Sequence, residues 1–596
     1  MSGVCCALAA ARQGVKVILC QDRPVLGGNA SSEIRMHIVG ANTNRPAQDL
    51  LNEARESGLI EEIRLENSVR NPQRSPSMFD EILYEKCRAE SNLTLLLNTT
   101  VTDAVVVDSL LAQVDAVRPS TEDCFRIAAK VFVDCTGDGG LGAAAGAAFV
   151  HGREARSQYG ETLAPAEADG KTLGSTLLFM ARKHDRPMPY APPPWARKIT
   201  AADMVNREWS EPGRAFSYEY GFWWLEWGGQ LDTIKDNEAI RDELLAILFG
   251  VWDYVKNGGD FGAENWSLDW FGVVPGKRES RRFLGQHVLT ETDVLRSALQ
   301  PDAIAYGGWP IDLHPVCGFD QSDEPPCTWT KVPLLYDVPL RSCVARDLPN
   351  LMFAGRNISA SHIAFASTRV MATCAAIGEG VGIAAAHAVK HQLRPGELAA
   401  NGAAMAAIRE TILQEDGYLI GADLIDAENL LRLATISASS EFPAGSAVNV
   451  ISGQNRALYG PESVAEQRKR PGTHRWMSAP DAAGPAWIQA EWERPQTISR
   501  LEIVFDTGLH RYLTLTQSEG YLSRMIWGQP PPETVRDFSV EVRRGGEWRT
   551  LREVTDNGRR RWREQLDSPV SADALRVTIR RTWGNPEARV VRLAAW

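Results

Sequence analysis

Three histidines stand in loops where a proton could be taken, given or held: His37, His314 and His362. Imidazole has an ordinary pKa near neutrality, so it is the commonest general base. His37 follows S-S-E-I-R-M after a strand pattern, and His314 lies in W-P-I-D-L-H-P. His362 sits between a glycine turn and a helix rich in small residues. Each also has a bland reading as a satisfied structural histidine. Glu33 and Arg35 are alternatives near His37, or else form an ion pair that supports their loop. The run P-G-K-R-E-S-R-R, Pro275 to Arg282, is compact and basic. It reads as a solvated helix start or as support for a bound anion. The chain has 18 tryptophans, gathered in Gly221 to Gly229, in Asn265 to Gly272 and in the last quarter. Indole faces stack on sugar rings, but burial preference assigns most of them to the core.

The elements that position these residues follow from periodicity. M-S-G-V-C-C-A-L-A-A-A-R-Q-G reads as a small-residue helix closed by Gly14. Val15 to Leu19 then read as a buried parallel strand. Strand, glycine turn, helix, strand is the order of a dinucleotide-binding unit. Here the pattern begins at its helix, so the first strand and the first two glycines of G-x-G-x-x-G are expected upstream. The loop R-P-V-L-G-G-N-A-S-S-E, Arg23 to Glu33, stands at a strand's carboxyl end, where open α/β sheets bind ligands. Lys130 to Gly142 reads as a strand ending in D-C-T-G-D-G, and Asn350 to Ser359 as a strand ending in a second glycine turn. A helix with a small-residue face follows, Ser367 to Ala388.

The expected fold class is α/β: a Rossmann-like domain, N-terminally truncated, from 1–150 and 346–392. A Pro- and Trp-rich substrate domain, 151–345, is inserted into it. A helical connector, 393–435, leads to an antiparallel β-sandwich, 436–596, read from short alternating runs between Gly, Pro and Asn turns. The length of 596 residues agrees with several cores. A net charge of −11 without a basic block argues against nucleic acid as a partner. No apolar run reads as a membrane span, so no membrane partner is expected. Ten scattered cysteines show no C-x-x-C and no metal spacing. Cys317 and Cys327 flank a loop and could pair. A reducing, cytoplasmic setting is favoured, with any export signal lying upstream.

The N-terminal helix, the R-P-x-L-G-G-N loop, the D-C-T-G-D-G turn and the A-G-R-N-I-S…S-T-R-V-M block occur in that order. Together they resemble FAD-dependent oxidoreductases with a glutathione-reductase-type fold, over roughly residues 1–430. The narrower likeness is to a bacterial group whose members sometimes carry the label xanthan lyase. Residues 436–596 resemble a discoidin-like, galactose-binding-like sandwich, on A-V-N-V-I-S-G and W-I-Q-A-E-W. The resemblance implies FAD as cofactor. Gly3 would sit beneath the pyrophosphate, and Gln21 with Asp22 would stand where an acidic ribose ligand is usual. Arg23, Gly27, Gly28 and Asn29 would line the adenosine and phosphate side, and Val101 would contact adenine. Thr136, Gly137 and Asp138 would approach the dinucleotide bridge. Gly355-Arg356 replaces the family's Gly-Asp pair, leaving the ribityl chain or a phosphate to Arg356. Arg369, Val370 and Met371 would start the helix that faces the flavin. His362, His37 and His314 are the implied catalytic candidates, and no metal is implied.

The expected reaction is hydride transfer from a small polar molecule, possibly a carbohydrate, to flavin N5. The electron acceptor is unknown, because no second nucleotide motif and no dithiol are present. The alternative is a carbohydrate-binding or polysaccharide-lyase-type protein with a vestigial FAD site, with Arg278 and His314 as its acid–base candidates.

Overall fold

The computed structural model describes residues 1–42, 53–207, 224–259, 261–443, 445–456, 474–480, 484–513 and 525–596. Gly221 to Trp223 of the first tryptophan cluster lie outside the described residues. The chain is mixed α/β and divides into two compact units. The first comprises 1–44, 74–408 and 514–525, and the second 45–73, 409–513 and 526–596.

The first unit opens with α1 (Ser2–Arg12) and β1 (Val17–Cys20). The helix α2 (Leu59–Arg70) belongs to the second unit. Then come α3 (Pro76–Ala89) and β2 (Leu93–Leu96), which pairs in parallel with β1. An antiparallel sheet follows, built of β3 (Thr100–Val107), β4 (Leu110–Arg118) and β5 (Asp123–Ala128). The strand β6 (Phe132–Asp134) pairs in parallel with a late strand, Leu351–Phe353. These parallel strands are short and apolar; Leu351–Phe353 is fully buried, whereas Ile18 in β1 is exposed.

Between them lie the residues expected to form an inserted domain, which share one compact unit with the flanking segments. Here β7 (Phe179–Lys183) pairs antiparallel with β8 (Trp266–Phe271). The helix α4 (Asn237–Asn257) lays Leu244, Ile247, Val251 and Trp252 against Phe179. Spacing of three to four residues puts those side chains on one face. Further on, β9 (Ala303–Gly307) pairs with β12 (Tyr336–Pro339), and β10 (Ile311–Leu313) with β11 (Thr328–Thr330). The chain returns through β13 (Leu351–Phe353) to α5 (His362–Thr368) and α6 (Met371–His391).

The small residues of α1 and α6 have a packing role. A Cβ on Gly382 would meet the Cys6 carbonyl and lie 3.0 Å from Ala9 Cβ. Only bare backbone permits that approach. At 21 residues α6 is long and apolar enough to cross a membrane, an exception to the reading that no run qualifies. Most of its apolar window is buried within the protein.

The second unit holds one large antiparallel sheet. Its strands are β14 (Thr435–Ala438), β15 (Trp476–Met477), β16 (Ala486–Phe505), β17 (Val535–Arg544), β18 (Glu547–Val554), β19 (Arg561–Thr582) and β20 (Arg589–Ala595). The order is β15-β20-β16-β19-β17-β18, with β14 on β16. Its core gathers Trp476, Ile488, Phe505, Phe538, Val577 and Leu593. The segment before α2 joins it through buried charges: Arg55 pairs with Glu61 at 2.6 Å, and Arg475 bridges Glu53 and Asp506. All ten cysteines are free thiols, Cys317 and Cys327 among them.

Candidate functional site

Three loops of the first unit close on the first turn of α1. The Met1 ammonium donates to Gly27 O at 3.3 Å, and Ser2 Oγ to Ala354 O at 3.1 Å. A Cβ on Gly3 would lie 3.1 Å from Cys135 Cβ. No side chain caps this helix end. Gly27, Gly28 and Gly355 have φ of 102°, 59° and 114°, a region that L side chains avoid. A Cβ on Gly355 would stand 2.7 Å from Ser2 Oγ, whereas one on Gly28 would meet nothing within 4 Å. The result is a backbone-lined cradle around an uncapped helix N-terminus, which favours an oxygen-rich anion.

The D-C-T-G-D-G turn is organised by Asp134, which is fully buried at the end of β6. Its carboxylate accepts from Thr136 N at 2.9 Å, Thr136 Oγ1 at 2.8 Å, Gly142 N at 2.8 Å and Asn357 Nδ2 at 3.1 Å. One side chain thus fixes this turn and ties it to the loop after β13. Asp138 is held by Lys277 Nζ at 2.6 Å, by Arg356 and by Ser280 Oγ at 2.9 Å. Burial pushes its pKa up, but Arg356 and Lys277 outweigh that and hold it at about 2.

The basic run 275–282 is neither a helix start nor solvated. It runs extended through the interior, with Gly276 bridged to Thr176. Lys277 and Ser280 reach Asp138, and Arg278 reaches Glu226. Glu279 holds His362, and Arg282 holds Glu154 and Glu279. The charges are buried because partners from distant segments satisfy them.

A second cluster lies where β10 meets the α5–α6 junction. His314 Nδ1 is 2.9 Å from Glu226 Oε2, and its Nε2 is 3.2 Å from Asp312 Oδ2. Arg369 Nη2 is 2.9 Å from Asp312 Oδ2, and Trp329 Nε1 donates to Asp312 Oδ1 at 2.7 Å. Burial lowers the His314 pKa, but Glu226 and Asp312 outweigh it and the net shift is upward. Both ring nitrogens of His314 face carboxylates, an arrangement that favours the charged ring and commits both nitrogens to these partners. Arg369 stands one residue before the N-cap of α6.

His37 is placed differently. Its loop is tied at one end by Met36 N to Asn29 O at 2.8 Å, and at the other by Ala372 N to Val39 O at 3.0 Å. It therefore runs from the glycine cradle to the first turn of α6. Burial pushes the His37 pKa down to about 4, leaving a neutral ring near pH 7. His362 begins α5, with Nδ1 3.0 Å from Glu279 and its side chain 5% exposed. It lies within the buried charge network rather than at an open surface.

A family model described as FAD dependent oxidoreductase matches residues 1–412. The chain belongs to that family. No curated protein matches the sequence. Among solved structures, the chain is similar to the family 32 carbohydrate-binding module of C. perfringens NanJ, in complex with galactose. That pair shows 15% identity over 28% of this chain and 94% of that one, with a TM-score of 0.20. The family 32 module of Streptococcus pneumoniae EndoD gives 16%, 28%, 98% and 0.19. Chitosan-binding module 1 of a Paenibacillus chitosanase/glucanase gives 17%, 28%, 98% and 0.19.

The cradle fits the dinucleotide of FAD: an uncapped helix end, glycines at positive φ, and Lys277 and Arg356 beside it around one carboxylate. Gly3, Gly27, Gly28, Gly137, Asp138, Gly355 and Arg356 are brought to this region. Gln21 follows β1 and donates Nε2 to Val25 O at 2.9 Å, and Asp22 is exposed next to it. Arg23 pairs with Glu33 at 2.6 Å in a partly exposed bridge, and Asn29 Nδ2 donates to Lys277 O at 3.0 Å. Arg35 packs 3.8 Å over the Trp270 ring. Thr136 caps its own turn by accepting from Gly140 N at 2.9 Å. Val101 pairs with Ala116 in the β3–β4 hairpin. Val370 is the N-cap of α6 and Met371 its first residue. Sequence reasoning did not single out Asp134, Glu226, Asp312 or Trp329. Asp312 was marked only by its place two residues before His314 and Asp134 only by opening the D-C-T-G-D-G turn, while Glu226 lay unremarked in the first tryptophan cluster.

Proposed function

We propose that this FAD dependent oxidoreductase removes a hydride from a small polar substrate, with His37, His314 and Arg369 around the reacting atoms. Bound FAD supplies the hydride acceptor. The observation that carries the reading is the path of the His37 loop, which links the glycine cradle to the N-terminus of α6. His37, neutral and enclosed, accepts the proton of the substrate hydroxyl. Arg369 orients the substrate by donating a hydrogen bond, His314 steadies the Asp312 carboxylate that holds Arg369, and their burial excludes water. The positive end of α6 favours negative charge arising nearby. His362, through Glu279 and Arg282, is a positioning residue. A lyase reading that takes His314 as its base meets both of its ring nitrogens already facing carboxylates.

The test is anaerobic mixing of the FAD-loaded protein with polyols and sugars, followed by loss of the oxidised-flavin absorbance. Bleaching by a member of the panel supports the reading. His37→Gln is expected to slow bleaching by roughly a hundredfold while retaining FAD, since general-base catalysis contributes on that scale. An unchanged rate would remove His37 from the mechanism.

A further inference from the structure

Arg369 and Trp309 carry buried donors that no described residue satisfies. Arg369 gives Nη2 to Asp312 O at 3.3 Å and to Asp312 Oδ2 at 2.9 Å, yet its buried Nε has no partner among the described residues. The buried Nε1 of Trp309 likewise has none among them. Trp309 is held in place from behind. Ser367 Oγ donates to its carbonyl, and Tyr336 Oη lies 2.6 Å from the same Ser367 oxygen. Its ring stands edge-on to Trp329, centroids 6.2 Å apart. Trp329 in turn reaches Asp312, the carboxylate that holds Arg369. Both unused donors therefore belong to residues linked through Asp312 and Trp329. Unmade hydrogen bonds of buried donors cost free energy, so two of them on residues linked in this way point to a missing acceptor.

The charge around them has the same sense. Arg278, His314 and Arg369 share two carboxylates, Glu226 and Asp312. The neighbouring carboxylate, Glu279, is already taken by Arg282, His362 and Leu173 N. The N-terminus of α6 adds a positive dipole end one residue from Arg369. A planar carboxylate matches the unused guanidinium edge of Arg369 better than a neutral hydroxyl does. Beside it, Trp329 is 62% exposed while its Nε1 is pinned to Asp312 at 2.7 Å. A large aromatic face held rigid and open to solvent is a stacking platform for a pyranose ring.

We infer that the substrate is a sugar acid, its carboxylate received by Arg369 and Trp309 and its ring laid on Trp329. This rests on the reading that the α5–α6 junction faces the substrate. The donor set serves recognition: it discriminates an acidic sugar from its neutral counterpart, and does not itself take part in hydride removal.

The test uses the FAD-loaded full chain and two measurements, calorimetric binding and anaerobic bleaching, with D-glucuronate against D-glucose and D-galacturonate against D-galactose. At least one acid is expected to bind about tenfold or more tighter than its neutral counterpart, the scale of one or two charge-assisted hydrogen bonds. Arg369→Gln is expected to abolish that preference with FAD retained. Trp329→Ala, at an exposed position that spares the core, is expected to weaken both members of a pair alike. Binding of an acid without bleaching would uphold this inference and overturn the proposed redox role. Bleaching by neutral sugars as readily as by acids would overturn this inference and leave the redox role standing. Failure of both acids to bind would overturn it as well. So would an Arg369→Gln variant that alters only the flavin potential, since the donors would then serve the cofactor.

Discussion

At the scale of single residues, the buried titratable groups set how the protein responds to pH. The unfolded chain protonates His37 near its ordinary 6.5, whereas the folded chain does so near 4. Its contribution is therefore intact above pH 6.5 and is lost as pH falls from there toward 4. The loss is at most about 3 kcal/mol. Urea unfolding of wild type and His37→Gln across that window checks this, with the variant expected to show a shallower slope. The Arg278–Glu226 pair has side chains 9% and 4% exposed. Glu226→Gln leaves Arg278 and His314 short of a carboxylate and is expected to cost about 3–5 kcal/mol. Adding Arg278→Met should recover much of it, and equal losses in the single and double variants would show that the pair is not coupled. The histidines were legible in the sequence as candidates, but their protonation states were not. The shift of His314 depends on Glu226 and Asp312, and nothing in the spacing of positions 226, 312 and 314 shows that they meet.

Among the elements, the glycine cradle carries the strongest local constraint. Gly355→Ala imposes a left-handed φ on a residue with a side chain and drives its Cβ to 2.7 Å from Ser2 Oγ. The expected result is a loss of roughly 1–3 kcal/mol together with lower FAD occupancy. Equilibrium unfolding and the flavin-to-protein absorbance ratio read the two effects separately. Wild-type occupancy in the variant would show that the α1 turn does not hold the cofactor. The small-residue helices α1 and α6, the short parallel strands and the glycine turns were readable, because periodicity and glycine placement report local geometry. The run 275–282 was not. An extended segment that alternates buried charges looks like a solvated one until Asp138, Glu154, Glu226 and His362 are brought to it from elsewhere.

For the whole molecule, the α/β character and the large antiparallel sheet near the C-terminus were legible from texture. The membership of residues 45–73 was not. They pack with the sheet of the second unit, and an amphipathic helix such as α2 reads the same whichever core it covers. Residues 409–596 expressed alone leave Arg475 without Glu53 and lose the buried Arg55–Glu61 pair that reaches Thr507. That fragment is expected to unfold at lower denaturant than the same fragment supplied with a 45–73 peptide. Identical midpoints would show that the segment adds nothing to the second unit. The account of the first unit rests on FAD, and one measurement tests it most directly: the visible spectrum of the FAD-incubated chain after gel filtration. A flavin band that travels with the protein, and bleaches when a substrate is added without oxygen, is the predicted result. A protein peak that leaves the column with no flavin band would contradict it.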